Sequence, residues 1–317
     1  MGFLIFNKTH PSIYVDINYF MENEPIKKVV IVLPTYNEKD NIEKLLATIF
    51  DQQKYFYDIE IYVLVVDDYS PDGTGLIVKE LTTKYSRLHL LQGKKQGLGS
   101  AYIRGFKYVL RHMNADVVFE MDADFSHDPN DIPRFIMAIQ EGNNFIIGSR
   151  YIPGGSIPKT WSPLRKLNSK MGNIFATHIA GLKNIKDCTS GYRAIRTTLI
   201  KKINLNNLNA KGYSFQINLL HNAIKKRGVI KEIPIKFTDR VYGKSKIRIT
   251  DVTEFIKNTF LLRFPFLAIV PLLIFTTLVL IFLFNTFDAY SLSIAFYLLF
   301  LIPVSYTHLT LPTNREV

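Results

Sequence analysis

Between residues 28 and 149 the chain alternates short apolar runs with longer stretches of helical periodicity. The runs KVVIVL (28–33), IEIYVLVV (59–66), LHLLQ (88–92), DVVFEM (116–121) and FIIGS (145–149) are almost continuously apolar, as strands covered on both faces must be. Helical stretches begin between them near Asn41, Gly73, Gly97 and Asp131. This alternation predicts an α/β domain with a mostly parallel, doubly wound sheet and helices on both faces. Such sheets bind ligands at the carboxyl ends of their strands. PTYNE (34–38), Asp67 with Asp68, the triplet of Asp122, Ala123 and Asp124, and Ser149 with Arg150 each follow a run directly, so four polar clusters are expected on one rim.

Beyond Arg150 the alternation loosens. YIPGGSIP (151–158) reads as a loop. Leu164, Leu167, Met171, Ile174, Phe175 and Ile179 then recur at helical spacing, a stripe expected to pack into the core, while Arg165 and Ser169 stand four apart on another face. YSFQINLLHNAIKKRG (213–228) predicts a helix ended by Gly228, and VIKEIPIKF (229–237) a further strand. TDVTEFIKNTFLLRF (250–264) predicts an amphipathic helix lying at a membrane surface.

FLAIVPLLIFTTLVLIFLF (266–284) is nineteen residues without a charge, long enough to span a hydrocarbon core of about 30 Å. A second apolar run covers 289–304, so residues 265–304 are expected to form a transmembrane helical hairpin. Residues 1–27 read as an arm, without the basic start and apolar length of a secretory signal. The polar tail 305–317 reads as foreign to the native protein.

A net charge of +12 points to an anionic partner. Arg240, Lys244, Lys246, Arg248, Lys257 and Arg263 precede the first apolar run, whereas the turn NTFD has no basic residue, which places the globular domain on the cytoplasmic side. The chain has no aromatic-basic recognition module, so nucleic acid is not expected as a partner. Cys188 is the only cysteine, which excludes an internal disulfide framework and a cysteine-based zinc site. Neither a Gly-x-Ser-x-Gly elbow nor a Walker phosphate loop occurs.

Asp122 and Asp124 fall on the same side of an extended chain, and two neighbouring carboxylates call for positive charge. A divalent cation, Mg²⁺ or Mn²⁺, takes oxygen ligands and is commonly shared with substrate phosphates. Such a triplet also occurs in loops and helix caps; its place on a rim with three other polar clusters is what favours a metal site. QGLGSAY (96–102) is not a dinucleotide fingerprint, because Tyr102 fills the last small position and the motif follows the third strand. DRVYGKSK (239–246) is either a basic flank of the membrane segment or a lid carrying Arg240 and Lys246 onto a diphosphate. His178 and His221 are expected in core or surface roles, as is His127 despite its place beside the acids.

In order along about 28–250, the motifs LPTYNEKDNI, VVDDYSPDGT, GLGSAYIRGF, MDADFSHDP, GSRY, TSGYRA, KGYSFQINLL and DRVYGKSK give the chain a resemblance to the polyprenyl-phosphate sugar transferases of glycosyltransferase family 2. The resemblance implies a Rossmann-like nucleotide-sugar-binding fold of the GT-A type. It also implies transfer of mannose from GDP-mannose to dolichyl or polyprenyl phosphate in a lipid bilayer. Carried residue by residue, it implies that Pro34, Tyr36, Glu38, Val66 and Asp68 hold the nucleoside, and that Asp122, Ala123 and Asp124 meet ribose, diphosphate and metal. Arg150, Arg240 and Lys246 would surround the diphosphate and sugar, and Arg165 and Ser169 would receive the acceptor phosphate. Ser126 stands where some relatives have a Gln metal ligand. With Asp124, Arg240 and Lys246 as catalytic residues, the expected reaction is one in-line displacement with inversion. An acceptor phosphate, with a second pKa of about 6, is already largely ionised and needs no carboxylate base. Competing expectations are another donor such as UDP-glucose, a processive polysaccharide synthase, which the absence of a Gln-x-x-Arg-Trp motif disfavours, and a non-catalytic nucleotide-binding module.

Overall fold

The structure, a computed structural model, describes residues 25–182, 184–208, 212–239, 249–264 and 269–286. They fall into two compact units, one ending at Arg263 and the other starting at Phe264.

The first half of the larger unit follows the predicted alternation: β1 (Lys28–Thr35), α1 (Lys39–Asp51), β2 (Glu60–Asp67), α2 (Thr74–Lys84), β3 (Leu88–Gln92), α3 (Leu98–Tyr108), β4 (Val117–Glu120), α4 (Ile132–Gln140) and β5 (Phe145–Ser149). The second half adds α5 (Pro163–Ile179), β6 (Arg193–Arg196), α6 (Thr197–Lys201), α7 (Gly212–Lys225), β7 (Ile230–Pro234) and α8 (Ile249–Arg263). Seven strands make one sheet in the order β3-β2-β1-β4-β6-β5-β7. It is parallel except at β6, which runs antiparallel to both β4 and β5. The sequence pattern does not reveal β6: it is four residues long and half arginine, and Arg193 is fully buried.

Alternate residues of each strand feed opposite layers. Val29, Ile31, Leu33, Ile61, Val63 and Val65 meet α1 and α4 through Ile42, Leu45, Phe135 and Ile136. Val30, Val32, Leu64 and Val66 meet α3 and α7 through Ala101, Phe106, Phe215 and Leu219. Covering both faces is why the strands read as unbroken apolar runs. At Gly105 a Cβ would lie 2.7 Å from Val32 Cγ1, so glycine there lets α3 approach the sheet closely. Register sets Pro34 beside Val66 and Thr35 beside Asp67, with β3 ending level at Gln92. The loops that follow β1, β2 and β3 therefore start from one edge.

The stripe on α5 differs from expectation. Leu164, Leu167, Met171 and Ile174 are exposed by 66, 56, 53 and 42 %, and only Asn173 and Ala176 of the helix are buried. The helix meets the domain partly through polar groups, the Asn173 amide bonding Thr189 Oγ1 and accepting from the Thr189 backbone and Tyr151 Oη donating to Ser169 Oγ. It also does so through Ala176 in the core and Phe175, whose ring meets Phe255 and Phe260 of α8.

In the second unit α9 (Val270–Thr286) carries no charge. Its 17 residues measure about 25 Å at 1.5 Å per residue, short of the roughly 30 Å of a bilayer core. Among the described residues no helix is long and apolar enough to cross a membrane. The second apolar run (289–304), the tail, and the arm as far as residue 24 lie outside the described residues.

Candidate functional site

Asp67, fully buried at the end of β2, ties the first two rim loops together. It accepts from Thr35 Oγ1 at 3.0 Å, from the Ser70 backbone at 3.0 Å and from Ser70 Oγ at 2.5 Å. The Asn37 backbone in turn donates to Ser70 Oγ, and that of Glu38 to Thr74 Oγ1. Asn37, at φ +62°, makes the turn that starts α1, and the Glu38 carboxylate accepts from Asn41 Nδ2. These bonds set Pro34, Tyr36 and Glu38 beside Val66 and Asp68. Lys95 Nζ lies 3.1 Å from the centre of the Tyr36 ring, bringing the loop after β3 to the same place. Asp68 is 7 % exposed and takes a 2.6 Å hydrogen bond from Arg104 Nη2 of α3.

On the other side of β1, strand β4 ends at Glu120, so Asp122 and Asp124 stand in a loop and not on one extended face. Phe125 at φ +61° turns this loop. Ala123 and Asp124 are buried, and Asp124 Oδ1 accepts the Ser126 N–H at 3.0 Å; Asp122 is partly exposed. The Asp122 backbone N–H donates to His127 Nδ1 at 3.1 Å, so that nitrogen is unprotonated. Burial lowers the His127 pKa against the pull of Asp122 and Asp124, keeping the ring neutral, and the ring stacks on Tyr192. His127 thus supports the loop, whereas His178 is exposed and His221 half-buried.

Oxygen ligands are what the loop offers a cation. The same loop holds the carboxylates of Asp122 and Asp124 and Ser126 Oγ, a buried hydroxyl without a hydrogen-bond partner among the described residues. That set fits Mg²⁺ or Mn²⁺ completed by phosphate oxygens. Among the described residues no group of three or more His, Cys, Asp or Glu forms a closed metal cage.

Beneath the loop lies a polar cluster that the motifs only hinted at. Glu120 is fully buried, and its pKa rises to about 7 by desolvation against the opposing charge of Arg193, whose Nε lies 3.8 Å away. Arg193 donates to the carbonyls of Gln216 and Cys188. The Gln216 amide favours Glu120 ionisation, but no well-formed hydrogen bond joins the two. Gly191 closes the space above: a Cβ there would sit 3.5 Å from His127 Cε1 and 3.7 Å from both Asp122 Oδ1 and Gln216 Nε2.

Arg150 follows β5 as expected and forks Asp187, a buried partner without any sequence pattern to reveal it. Arg165 and Ser169 lie one turn apart on α5: Arg165 stacks over Trp161 at 3.9 Å and reaches Asp239 Oδ1 at 3.7 Å, while Ser169 is tied to Tyr151. Asp239 also accepts from Trp161 Nε1 and Thr160 Oγ1, and these bonds hold its pKa low. Arg240 and Lys246, which begin immediately after it, lie outside the described residues.

Residues 30–203 match the family described as Glycosyl transferase family 2. The chain is 38 % identical over 232 residues to the polyprenol monophosphomannose synthase of Mycolicibacterium smegmatis, covering 73 % of this chain and 84 % of that one. It is 38 % identical over 232 residues to the undecaprenyl-phosphate mannosyltransferase of Micrococcus luteus, covering 73 and 92 %. With the dolichol-phosphate mannosyltransferase of Pyrococcus furiosus the identity is 36 % over 235 residues, covering 74 and 63 %. Among solved structures, glucosyl-3-phosphoglycerate synthase from Mycobacterium tuberculosis in complex with Mn²⁺, UDP and glucosyl-3-phosphoglycerate aligns with a TM-score of 0.54. That alignment has 17 % identity and covers 81 % of this chain and 86 % of that one, a likeness of fold.

Proposed function

Because the chain belongs to glycosyltransferase family 2, we propose that it transfers mannose from GDP-mannose to the phosphate of a membrane polyprenol. The names of its polyprenol, undecaprenyl and dolichol relatives support the acceptor class and the sugar. The single observation in this chain that carries the reading is the exposed apolar stripe on α5, the helix that also bears Arg165 and Ser169. An acceptor with a phosphate head and an isoprenoid tail needs such a neighbourhood: cationic and hydroxyl donors for the head, apolar side chains for the tail. The proposed membrane segment 265–304 then keeps the domain at the cytoplasmic headgroup plane, where that acceptor is confined.

For the donor, the loops after β1 and β2 hold the nucleoside and the loop after β4 the diphosphate, on neighbouring strands. Asp122, Asp124 and Ser126 would hold the Mg²⁺ or Mn²⁺, which when bound neutralises charge on the diphosphate. The acceptor phosphate oxygen forms its bond to the anomeric carbon as the bond to the diphosphate breaks, releasing GDP with inversion. Its own ionisation replaces a general base. Arg165 orients this nucleophile, while Arg240 and Lys246 stabilise the departing charge.

The test is transfer by the full chain from radiolabelled GDP-mannose, UDP-glucose and UDP-N-acetylglucosamine to polyprenyl phosphate in vesicles, with product anomers assigned by NMR. Polyprenyl-phosphate β-mannose from the α-linked donor is expected. Transfer only to a water-soluble acceptor, or only from a uridine donor, overturns the reading.

A further inference from the structure

We infer that Arg104 fixes the Asp68 carboxylate as the acceptor that reads the nucleobase of the donor, and that Gly93 is the opening that admits its guanidinium. The inference rests on the nucleotide-sugar reading of this rim and adds a recognition residue to it.

Asp68 is the first residue past β2, held there by a backbone bond to Thr35 at 3.1 Å. Tyr36 stands in the loop on one side, and the loop 93–97, which carries Lys95 onto the Tyr36 ring, on the other. A carboxylate only 8 % exposed needs a charged partner, and Arg104, 24 % exposed, supplies it at 2.6 Å. The bond engages Oδ1. Among the described residues the second oxygen has no hydrogen-bond donor and is left to accept an N–H, and the guanidinium beside it has further N–H groups to donate. An acceptor next to a donor complements the adjacent N–H and carbonyl of guanine or uracil.

Gly93 explains how a side chain from α3 reaches the end of β2. A Cβ at 93 would lie 2.8 Å from Arg104 Cζ and 2.9 Å from its Nε and Nη1. The backbone there is ordinary, and Gly93 N–H donates to Asp67 O at 3.0 Å, so the loop is anchored and the guanidinium would have to move. Among the described residues Arg104 makes only a long 3.5 Å contact to Lys94 O besides Asp68, and its buried Nε has no partner there. The ion pair with Asp68 is therefore the main tie of this guanidinium to the rest of the described residues, and the melting temperature measures what that tie contributes to stability.

The experiment measures GDP and UDP affinity by titration calorimetry with Mg²⁺, steady-state kinetics with GDP-mannose, and melting temperature, for the full chain and for R104M, R104K and G93A. R104M is expected to weaken GDP binding about tenfold or more and to raise KM for the donor, with kcat changed far less. R104K should recover part of the loss, and G93A should reproduce the R104M effect with its Arg104 intact. A wild type that binds GDP while R104M and G93A bind it equally well overturns this inference alone. A wild type that binds neither nucleotide overturns it together with the donor reading.

Discussion

Arg150 closes a two-pronged ion pair on Asp187: Nε donates to Oδ2 and Nη2 to Oδ1, both at 2.7 Å, and the Arg150 backbone adds a third bond at 3.0 Å. The Asp187 backbone and that of Lys186 are themselves held by Glu232 of β7, so the pair joins the loop after β5 to the segment before β6. Burial alone would raise the Asp187 pKa; the Arg150 charge and the bonds from Arg150 and Thr189 outweigh it and hold the carboxyl below its ordinary value.

Replacing Asp187 by Asn leaves the guanidinium buried beside a neutral group, and a loss of about 3 kcal/mol is expected at pH 7. Because the folded pKa is depressed, the stabilisation is fully present above the unfolded value near 3.8 and is lost as pH falls through the folded one. The gap between wild type and D187N in urea denaturation should therefore stay constant from pH 7 to pH 5. A gap that closes across that range contradicts the assignment.

Asp124 to Asn keeps an oxygen that can accept the Ser126 N–H, so folding should survive. Losing the charge should lower transfer about a hundredfold or more, with melting temperature little changed. Normal kcat in D124N would remove Asp124 from the diphosphate and metal site.

At Gly191 the fold has room for a methyl group, since the nearest atoms would be 3.5 to 3.7 Å away and φ is not in the left-handed region. That methyl would nevertheless lie against Asp122 Oδ1. G191A is expected to melt with wild type yet show a clearly lower kcat/KM for the donor. Unchanged kinetics would mean that the space beside Asp122 is not used by the substrate.

The triple variant L167N/M171N/I174N alters exposed positions, so each change should cost at most about 0.5 kcal/mol of stability. If the stripe meets the lipid acceptor, KM for polyprenyl phosphate in vesicles should rise while KM for GDP-mannose stays put. Equal effects on both substrates, or none, would count against a lipid-facing α5.

The seven strands show where each kind of information resides. Strands β1 to β5 were legible because burial on both faces forces apolar runs, and the residues just past them, Tyr36, Asp68, Asp122 and Arg150, follow from the rule that parallel strands end on one rim. β6 was not, because a four-residue strand between β4 and β5 draws its stability from neighbours distant in sequence. Of the stripe expected in the core, Phe175 does pack against α8, but Leu164, Leu167, Met171 and Ile174 are exposed, because periodicity shows that one face is apolar, not whether protein or something else covers it.

By itself the sequence determined the order of the elements from β1 to β5 and the placement of four polar clusters at strand ends, because local periodicity and chain direction suffice for both. Only the tertiary structure decided the pairings that shape the site, Asp68 with Arg104, Arg150 with Asp187, and Gly191 against Asp122 and Gln216. A buried charge is satisfied by whatever the fold brings within about 3 Å, and nothing in the local sequence encodes that distance.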